Sequence, residues 1–270
     1  MSFDGARLVE AEAHGKHLLI RWDDGRTLYG HLLMTGSWSV GPVSPEPEWK
    51  RRVELWMEDG RLTAEMVPLL RVLPTRDEER RIGHLGPDLC GAQPPDLDVV
   101  TVRLQHDPDA LLAAALLDQR NVAGFGNLYA VELPFVVGVS PFHPIGRVES
   151  LDVLVGLGTA VIRTNARLGP QNTTGRRMRD SDHWIYARAG RGCPVCGTRL
   201  AGMDERTSPW GRVTTWCPTC QPAPDPTSTR PVDLVRADRL LALHPARREP
   251  TWPSRVADRS AQPRQAEPSA

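Results

Sequence analysis

The chain has 270 residues, a length that suits one large domain or two compact ones. Its 33 basic and 33 acidic side chains balance, which excludes a uniformly basic nucleic-acid-binding chain. The charge is nevertheless uneven, because residues 1–110 carry 13 Lys and Arg against 19 Asp and Glu, whereas 161–221 carry 10 Arg against 4 acids. The second segment is a candidate anion-binding face.

The first part of the chain has the pattern of β-strands. Short stretches rich in Val, Leu, Ile and Trp are separated by turn dipeptides at Asp24-Gly25 and Asp59-Gly60. Each dipeptide lies between two strand-like arms, and glycine accepts the positive φ of a tight hairpin turn. We therefore expect two hairpins here, with a proline-rich loop over 41–50.

The pattern becomes helical near residue 109. Two helices are predicted over 109–120 and 128–139, joined by a glycine-rich turn, and 148–168 predicts one long helix. After residue 222 the composition changes to Pro, Arg, Ala and Ser, with a single short apolar patch. Such a segment buries too little apolar surface to offset the entropy lost on ordering, so we predict a disordered tail over 223–270.

Four of the five cysteines form two CxxC pairs, Cys193/Cys196 and Cys217/Cys220, with twenty residues between the pairs. The spacing lies at the edge of the range expected for a four-cysteine zinc site, in which two knuckles complete a tetrahedron and leave no open position. We predict one structural Zn²⁺ and consider a pair of redox motifs the weaker alternative. Cys90 stands alone and is predicted to be a buried apolar residue.

Cysteine usage and hydropathy also bear on the compartment. Five clustered cysteines are too few for the disulfide framework of a secreted domain. No stretch approaches the roughly 18 apolar residues needed to span a bilayer, and none has the form of a signal peptide. We expect a cytoplasmic protein with no membrane partner.

Two segments have features suited to phosphate. The residues between the CxxC pairs predict a β-hairpin carrying Arg199, Arg206 and Arg212, whose guanidinium groups match phosphate oxygens. The alternative is an arginine-coated surface for a protein partner. In the turn between the helices, Gly126 and Asn127 begin the second helix, where free N–H groups favour an anion. Taken alone, such a turn equally well only connects two helices.

These pieces, in this order, resemble the formamidopyrimidine-DNA glycosylase/endonuclease VIII family of base-excision repair enzymes. The motifs that carry the resemblance are HGKHLL (14–19), HLLMTGSW (31–38), HLGPD (84–88), LLDQRNVAGFGNLYAVE (116–132), IYARAGRGCPVCG (185–197) and RVTTWCPTCQ (212–221). The resemblance implies an α+β multidomain fold. We assign residues 1–95 to an incomplete N-terminal β-sandwich and 105–182 to a helix-two-turns-helix domain. Residues 183–222 are assigned to a zinc hairpin and 223–270 to a disordered tail.

The resemblance also implies roles for particular residues. Gly126, Asn127 and Arg212 match the family's contacts to the DNA backbone beside the lesion, and Lys16 matches a phosphate contact credited with proton donation in strand cleavage. Met34 matches the apolar wedge that fills the gap left by the flipped base. A solvated strand lysine and a core methionine are the alternatives for Lys16 and Met34. Lys16 is one of only two lysines beside 31 arginines, which favours a specific role.

One part of the family pattern is missing. The family's nucleophile is a proline after the initiator methionine, with a glutamate beside it, whereas Ser2 and Phe3 stand here and only fourteen residues precede Gly15. Either the start site is assigned too far downstream or the short chain is genuine. The α-amine of Ser2 is a third and weaker candidate for the nucleophile.

The segment MVPLLRVLP (66–74) lacks the wedge loop of the formamidopyrimidine branch, so the chain is closer to endonuclease VIII. We therefore expect a monomeric glycosylase with abasic-site lyase activity on damaged double-stranded DNA, nucleoid-associated when bound. Lys16 and Arg212 are its expected proton donors. The alternative is a catalytically silent protein that binds damaged DNA.

Overall fold

The computed structural model describes residues 2–33, 35–41, 47–58, 60–169, 171–176, 182–225 and 227–256. The chain divides into two compact units, residues 1–84 and residues 85–270. The first unit contains seven strands and one short helix: β1 (Leu8–His14), β2 (His17–Trp22), β3 (Arg26–His31), β4 (Ser37–Val40), β5 (Arg51–Met57), β6 (Gly60–Glu65), β7 (Leu69–Pro74) and α1 (Glu79–Ile82).

The strands of the first unit form two sheets, with the orders β1-β2-β3-β7 and β4-β6-β5. All of their pairings are antiparallel, and β2 with β3 and β5 with β6 are the two predicted hairpins. Gly25 has a φ of +79°, as the tight turn requires. Asp59 lies outside the described residues.

Alternation along β2 gives the four-stranded sheet two buried faces. Leu19 and Ile20 are adjacent in sequence and almost fully buried, so they point to opposite sides of the sheet. Leu19 packs with Tyr29 on one face, whereas Ile20 shares a cluster with Leu55 of the other sheet. This shared cluster joins the two sheets, in agreement with the predicted β-sandwich.

The second unit is mainly helical. Its helices are α2 (Leu97–Leu104), α3 (Leu112–Leu117), α4 (Asn127–Val136), α5 (Leu151–Leu168) and α6 (Leu234–Leu240), and its short strands are β8 (Val148–Glu149), β9 (Ala201–Met203), β10 (Thr214–Trp216) and β11 (Arg230–Pro231). The predicted helix–turn–helix is α3 and α4, and the predicted long helix is α5. A Cβ at Gly158 of α5 would lie 2.5 Å from the Phe125 ring, so α5 packs tightly on the turn before α4.

The segment that follows residue 84 packs with the helices of the second unit. The Gly86 amide donates to the Gln119 carbonyl at 2.8 Å, and the Leu89 amide donates to the Ala123 carbonyl at 3.0 Å. A Cβ at Gly86 would lie 2.4 Å from the Asn121 carbonyl oxygen, which leaves room only for glycine. The structure therefore places 85–95, which the sequence assigned to the N-terminal domain, with the second unit.

The prediction of a disordered tail is wrong for residues 227–256. Asp233 caps α6 by accepting a hydrogen bond from the Arg236 amide, and β11 pairs with β8. The apolar side chains of this segment join the core of the second unit: Val232, Ala237, Leu240, Leu241, Ala246, Trp252 and Val256. A few well-placed apolar residues thus outweigh the polar composition, because they are buried in the cluster that also contains residues of α4 and α5. Residues 257–270 lie outside the described residues.

Within the described ranges, no helix combines the length and the apolar content that crossing a bilayer would require.

The packing of this segment gives a matched test of stability. Leu241 is 2% exposed and Leu243 is 73% exposed. Leu241→Ala should lower the free energy of unfolding by about 2–5 kcal/mol, because it leaves a cavity in the core. Leu243→Ala should change it by less than about 0.5 kcal/mol. Urea unfolding of both variants measures the difference, and equal values would place the segment outside the core.

Candidate nucleic-acid interface

The four predicted metal ligands meet at one point of the second unit. Their sulfur atoms all lie within 4.8 Å of one another. The Sγ–Sγ separations are 3.4 Å for Cys196 and Cys217, 3.6 Å for Cys196 and Cys220, and 3.9 Å for Cys193 and Cys220. A tetrahedron with metal–sulfur bonds of about 2.3 Å has edges of about 3.8 Å. The cluster therefore fits a tetrahedral metal ion.

The metal cluster is linked to the helices by a buried glutamine. Gln221 accepts a hydrogen bond from the Cys217 amide at 3.0 Å and donates to the Val139 carbonyl at 2.9 Å. Phe142 adds an aromatic contact, with its ring centroid 4.9 Å from that of Trp216 and 5.3 Å from that of Trp210. These contacts fix the base of the hairpin on the helical part of the same unit.

The buried carboxylate of Glu132, on α4, fixes the segment that leads into the hairpin. It accepts hydrogen bonds from the amides of Trp184, Ile185 and Tyr186, each at 2.7 Å, and from the Thr173 hydroxyl. Glu132 itself is 0% exposed. Four donors satisfy the ionised carboxylate away from water, so its burial is compatible with a stable fold. Glu132 is the last residue of the sequence motif 116–132, and its structural role was not predicted from the sequence.

The hairpin consists of β9 and β10, which pair antiparallel from Met203 opposite Thr214 to Ala201 opposite Trp216. The residues between the strands form its tip, which carries Arg206 and Arg212, both exposed. The structure thus confirms the predicted hairpin.

Asn127 connects the helical turn with the hairpin tip. Gly126 is the N-cap of α4 and provides no side-chain cap, so the first amides of the helix lack an intrahelical partner. The Asn127 Nδ2 donates to the Val213 carbonyl at 2.8 Å, across 86 residues of sequence. Arg212 is the neighbour of Val213. The two segments that the sequence proposed separately for phosphate therefore meet at one place.

Gln119 holds the turn in shape, a role that sequence reasoning missed. Its Nε2 donates to the carbonyls of Leu117 and Phe125 at 3.0 and 2.7 Å, and its Oε1 accepts from the Gly124 amide at 3.3 Å. Gly124 has a φ of +126°, where a side chain would be strained. The sequence feature that could have indicated this role is a polar residue just before a glycine-rich turn.

Lys16 lies in the first unit, in the two-residue turn between β1 and β2. Its partner in the turn, Gly15, has a φ of +58°, and Lys16 is exposed. His17 Nδ1 lies 2.7 Å from the Tyr29 hydroxyl, and the His17 and His31 ring centroids are 4.4 Å apart. Burial, and then the nearby histidines, lower the pKa of His17 to about 4. Burial, and then the Lys16 charge, lower the pKa of His31. Both imidazoles are therefore neutral near pH 7, and Lys16 supplies the positive charge of this turn.

Met34 lies outside the described residues. Burial, and secondarily Asp88, raise the pKa of Cys90 to about 11, so its thiol is protonated and unreactive near neutral pH. The pKa agrees with the prediction that Cys90 is not a nucleophile, but the residue is half-buried and not fully buried as predicted.

The chain is similar in sequence to proteins of one known family. A model described as the formamidopyrimidine-DNA glycosylase N-terminal domain matches residues 1–66. The chain is 39% identical over 232 residues to a probable endonuclease 8 of Streptomyces coelicolor, which covers 82% of this chain and 82% of that protein. It is 36% identical over 225 residues to DNA-(apurinic or apyrimidinic site) lyase Nei2 of Mycolicibacterium smegmatis, covering 83% and 86%.

More distant relatives share the fold. A formamidopyrimidine-DNA glycosylase of Gloeobacter violaceus is 32% identical over 229 residues, covering 77% of this chain and 78% of that protein. The Lactococcus lactis enzyme, solved with DNA that contains an abasic site, has a TM-score of 0.64 and 21% identity, covering 81% of this chain and 83% of that one.

The chain belongs to the formamidopyrimidine-DNA glycosylase/endonuclease VIII family. Within that family it lies closer to endonuclease VIII, because the relatives that carry the endonuclease 8 name are the more similar ones.

The carboxylate of Glu132 provides a test of how the hairpin is held. Glu132→Gln keeps the shape of the side chain but leaves one acceptor oxygen for four donors that bond to two oxygens in the wild type. The new amide NH₂ group also faces backbone N–H groups, which cannot accept a hydrogen bond. The free energy of unfolding should fall by about 3 kcal/mol. Thermal and urea unfolding measure the change, with Glu205→Gln, at an exposed position of the hairpin, as the control. A variant as stable as the control would show that these hydrogen bonds contribute little.

Proposed function

We propose that this chain is a base-excision repair enzyme that removes oxidised bases from double-stranded DNA and cleaves the strand at the resulting abasic site. The observation that carries the proposal is the hydrogen bond from Asn127 to Val213, which joins the start of α4 to the tip that bears Arg212. The endonuclease 8 and abasic-site lyase names of the relatives support the same activity.

The joined segments suit the backbone of DNA. Asn127 lies at the start of a ten-residue helix whose first amides have no side-chain cap, so the helix dipole favours an anion there. Arg212 adds an exposed guanidinium group on the neighbouring segment, and its planar fork matches phosphate oxygens. Together they provide two donors of different types for one stretch of phosphate backbone. Such contacts position the protein on DNA without reading sequence.

The chemistry of strand cleavage divides among several groups. By resemblance, an amine of the enzyme attacks C1′ and breaks the bond to the damaged base, which leaves and takes up a proton. The sugar ring then opens to give a Schiff base, and elimination breaks the C3′–O bond so that the phosphate leaves. We assign Lys16 to a phosphate contact and to protonation of a leaving group in this reaction. Arg212 carries an exposed guanidinium group, and we assign it to the neutralisation of phosphate charge beside the proton donation that the resemblance implies. The α-amine of Ser2 is the candidate amine that the sequence offers, and borohydride trapping tests whether the chain supplies such a group.

We propose that the metal at the four cysteines is a single Zn²⁺ with a structural role. Four thiolates satisfy a tetrahedral zinc ion completely and leave no position for water or substrate. When bound, the ion holds the two CxxC segments together beneath the hairpin. All of the proposed DNA contacts come from protein groups.

Metal analysis tests this assignment. The purified chain should contain about one zinc ion per molecule, and Cys217→Ser should lose it and expose the hairpin to proteolysis. Cys90→Ser, which removes the cysteine outside the cluster, should retain the metal. Elemental analysis by mass spectrometry gives the count. Full zinc occupancy in Cys217→Ser would contradict the proposed site.

Borohydride trapping tests the activity. The chain is incubated with a duplex that contains one abasic site, and borohydride reduces any Schiff base to a stable covalent adduct. A trapped adduct together with strand-cleavage products is the expected result. Binding to the abasic duplex without an adduct would contradict the enzyme and support a silent damage-binding protein.

The same duplex tests the role of Arg212. Arg212→Ala should bind more weakly and should reduce the slope of log affinity against log salt by about 0.9, because one phosphate contact no longer releases counterions. Arg248→Ala removes the same charge from an exposed position in the same unit and should leave the slope unchanged. Equal slopes for both variants and the wild type would remove Arg212 from the interface.

A further inference from the structure

Arg236 of α6 is a buried cation whose charge the DNA interface does not use. The residue is 9% exposed, and its Nη2 atom is buried without a hydrogen-bond partner among the described residues. Its Nε donates to the Phe135 carbonyl at 2.9 Å, and its guanidinium lies 4.5 Å from the centre of the Phe135 ring. These contacts position the group but provide no full negative charge. Burial of a charge without compensation is costly.

The side chain lies beside the metal cluster. A Cβ built at Gly138 would be 3.3 Å from Arg236 Cδ and 3.7 Å from the Cys220 carbonyl oxygen, so both flank the same point. The nearby Asp233 carboxylate accepts a hydrogen bond from the Arg236 amide, where it serves as the helix cap. Once a metal ion displaces the thiol protons, the cluster is a source of negative charge beside this side chain.

We propose that Arg236 is a positioning residue of the metal site, which offsets the negative charge of the loaded cluster and thereby links metal binding to the docking of α6. The inference rests on the proposed zinc site. Four thiolates and one Zn²⁺ carry a formal charge of about two negative units. A buried cation at its edge lowers the cost of holding that charge away from water, as outer groups do at other metal sites. Because linkage is reciprocal, the loaded cluster stabilises the segment that carries Arg236.

Zinc affinity provides the test, measured by competition with a chromogenic chelator. Arg236→Met keeps the length and loses the charge, and it should bind zinc about 10-fold or more weakly than the wild type. Arg236→Lys keeps the charge and should fall between the two, which provides a second measurement if the Met variant does not fold. Arg248→Met removes a charge from an exposed position in the same unit and should match the wild type. Equal affinity for all four proteins would overturn the proposal.

Hydrogen exchange gives the reciprocal measurement on the full chain. Removal of zinc by a chelator should accelerate exchange over residues 232–243 in the wild type and should have a smaller effect in Arg236→Lys. Exchange that is independent of zinc in the wild type would also overturn the linkage. A wild-type chain that binds no zinc would instead contradict the proposed metal, whereas intact zinc binding with indifferent variants would contradict this inference alone.

Discussion

The buried carboxylate of Glu132 is the interaction on which the second unit depends. A charge on α4 is fully removed from water, and four donors from distant parts of the sequence converge on it. Three of them are consecutive backbone amides of 184–186, which precede the first CxxC pair. Because these amides have fixed spacing, the carboxylate sets both the position and the direction of the chain as it enters the hairpin. The orientation of the metal cluster follows from that entry.

The hairpin is then held at three levels along its length. Gln221 and Phe142 hold its base to the helical part, the four cysteines hold its two CxxC segments together, and Asn127 holds its tip. A short two-stranded ribbon is marginally stable alone, so these contacts give it a defined position. Rigid support matters for a phosphate contact, because Arg212 gains little from its charge if the segment that carries it must be ordered on binding.

The segment that follows the metal cluster is part of this same support. Its apolar residues cover the core formed by α4 and α5, and Pro253 lies where a Cβ at Gly156 of α5 would be 2.8 Å away. Arg236 lies beside the cluster, because its Cδ and the Cys220 carbonyl oxygen flank the same point at Gly138. The cysteine cluster is thus supported by a segment that precedes it in sequence and by a segment that follows it. Arg236, in the later segment, offsets the negative charge of the loaded cluster.

The sequence by itself determined the β-structure of the first unit, the helices around the glycine-rich turn, the four cysteines that could hold a metal ion, and the family. These features depend on local patterns: alternation, turn glycines, helical periodicity and the spacing of CxxC pairs. It could not reveal the roles of Glu132, Gln119 and Arg236, because each acts through partners far away in sequence or through backbone groups that leave no compositional signal. It was wrong about 227–256, since composition averages over a segment whereas burial is decided residue by residue. Only the tertiary structure decided that the Asn127 turn and the Arg212 tip meet, because that contact depends on how α4 and the hairpin pack together.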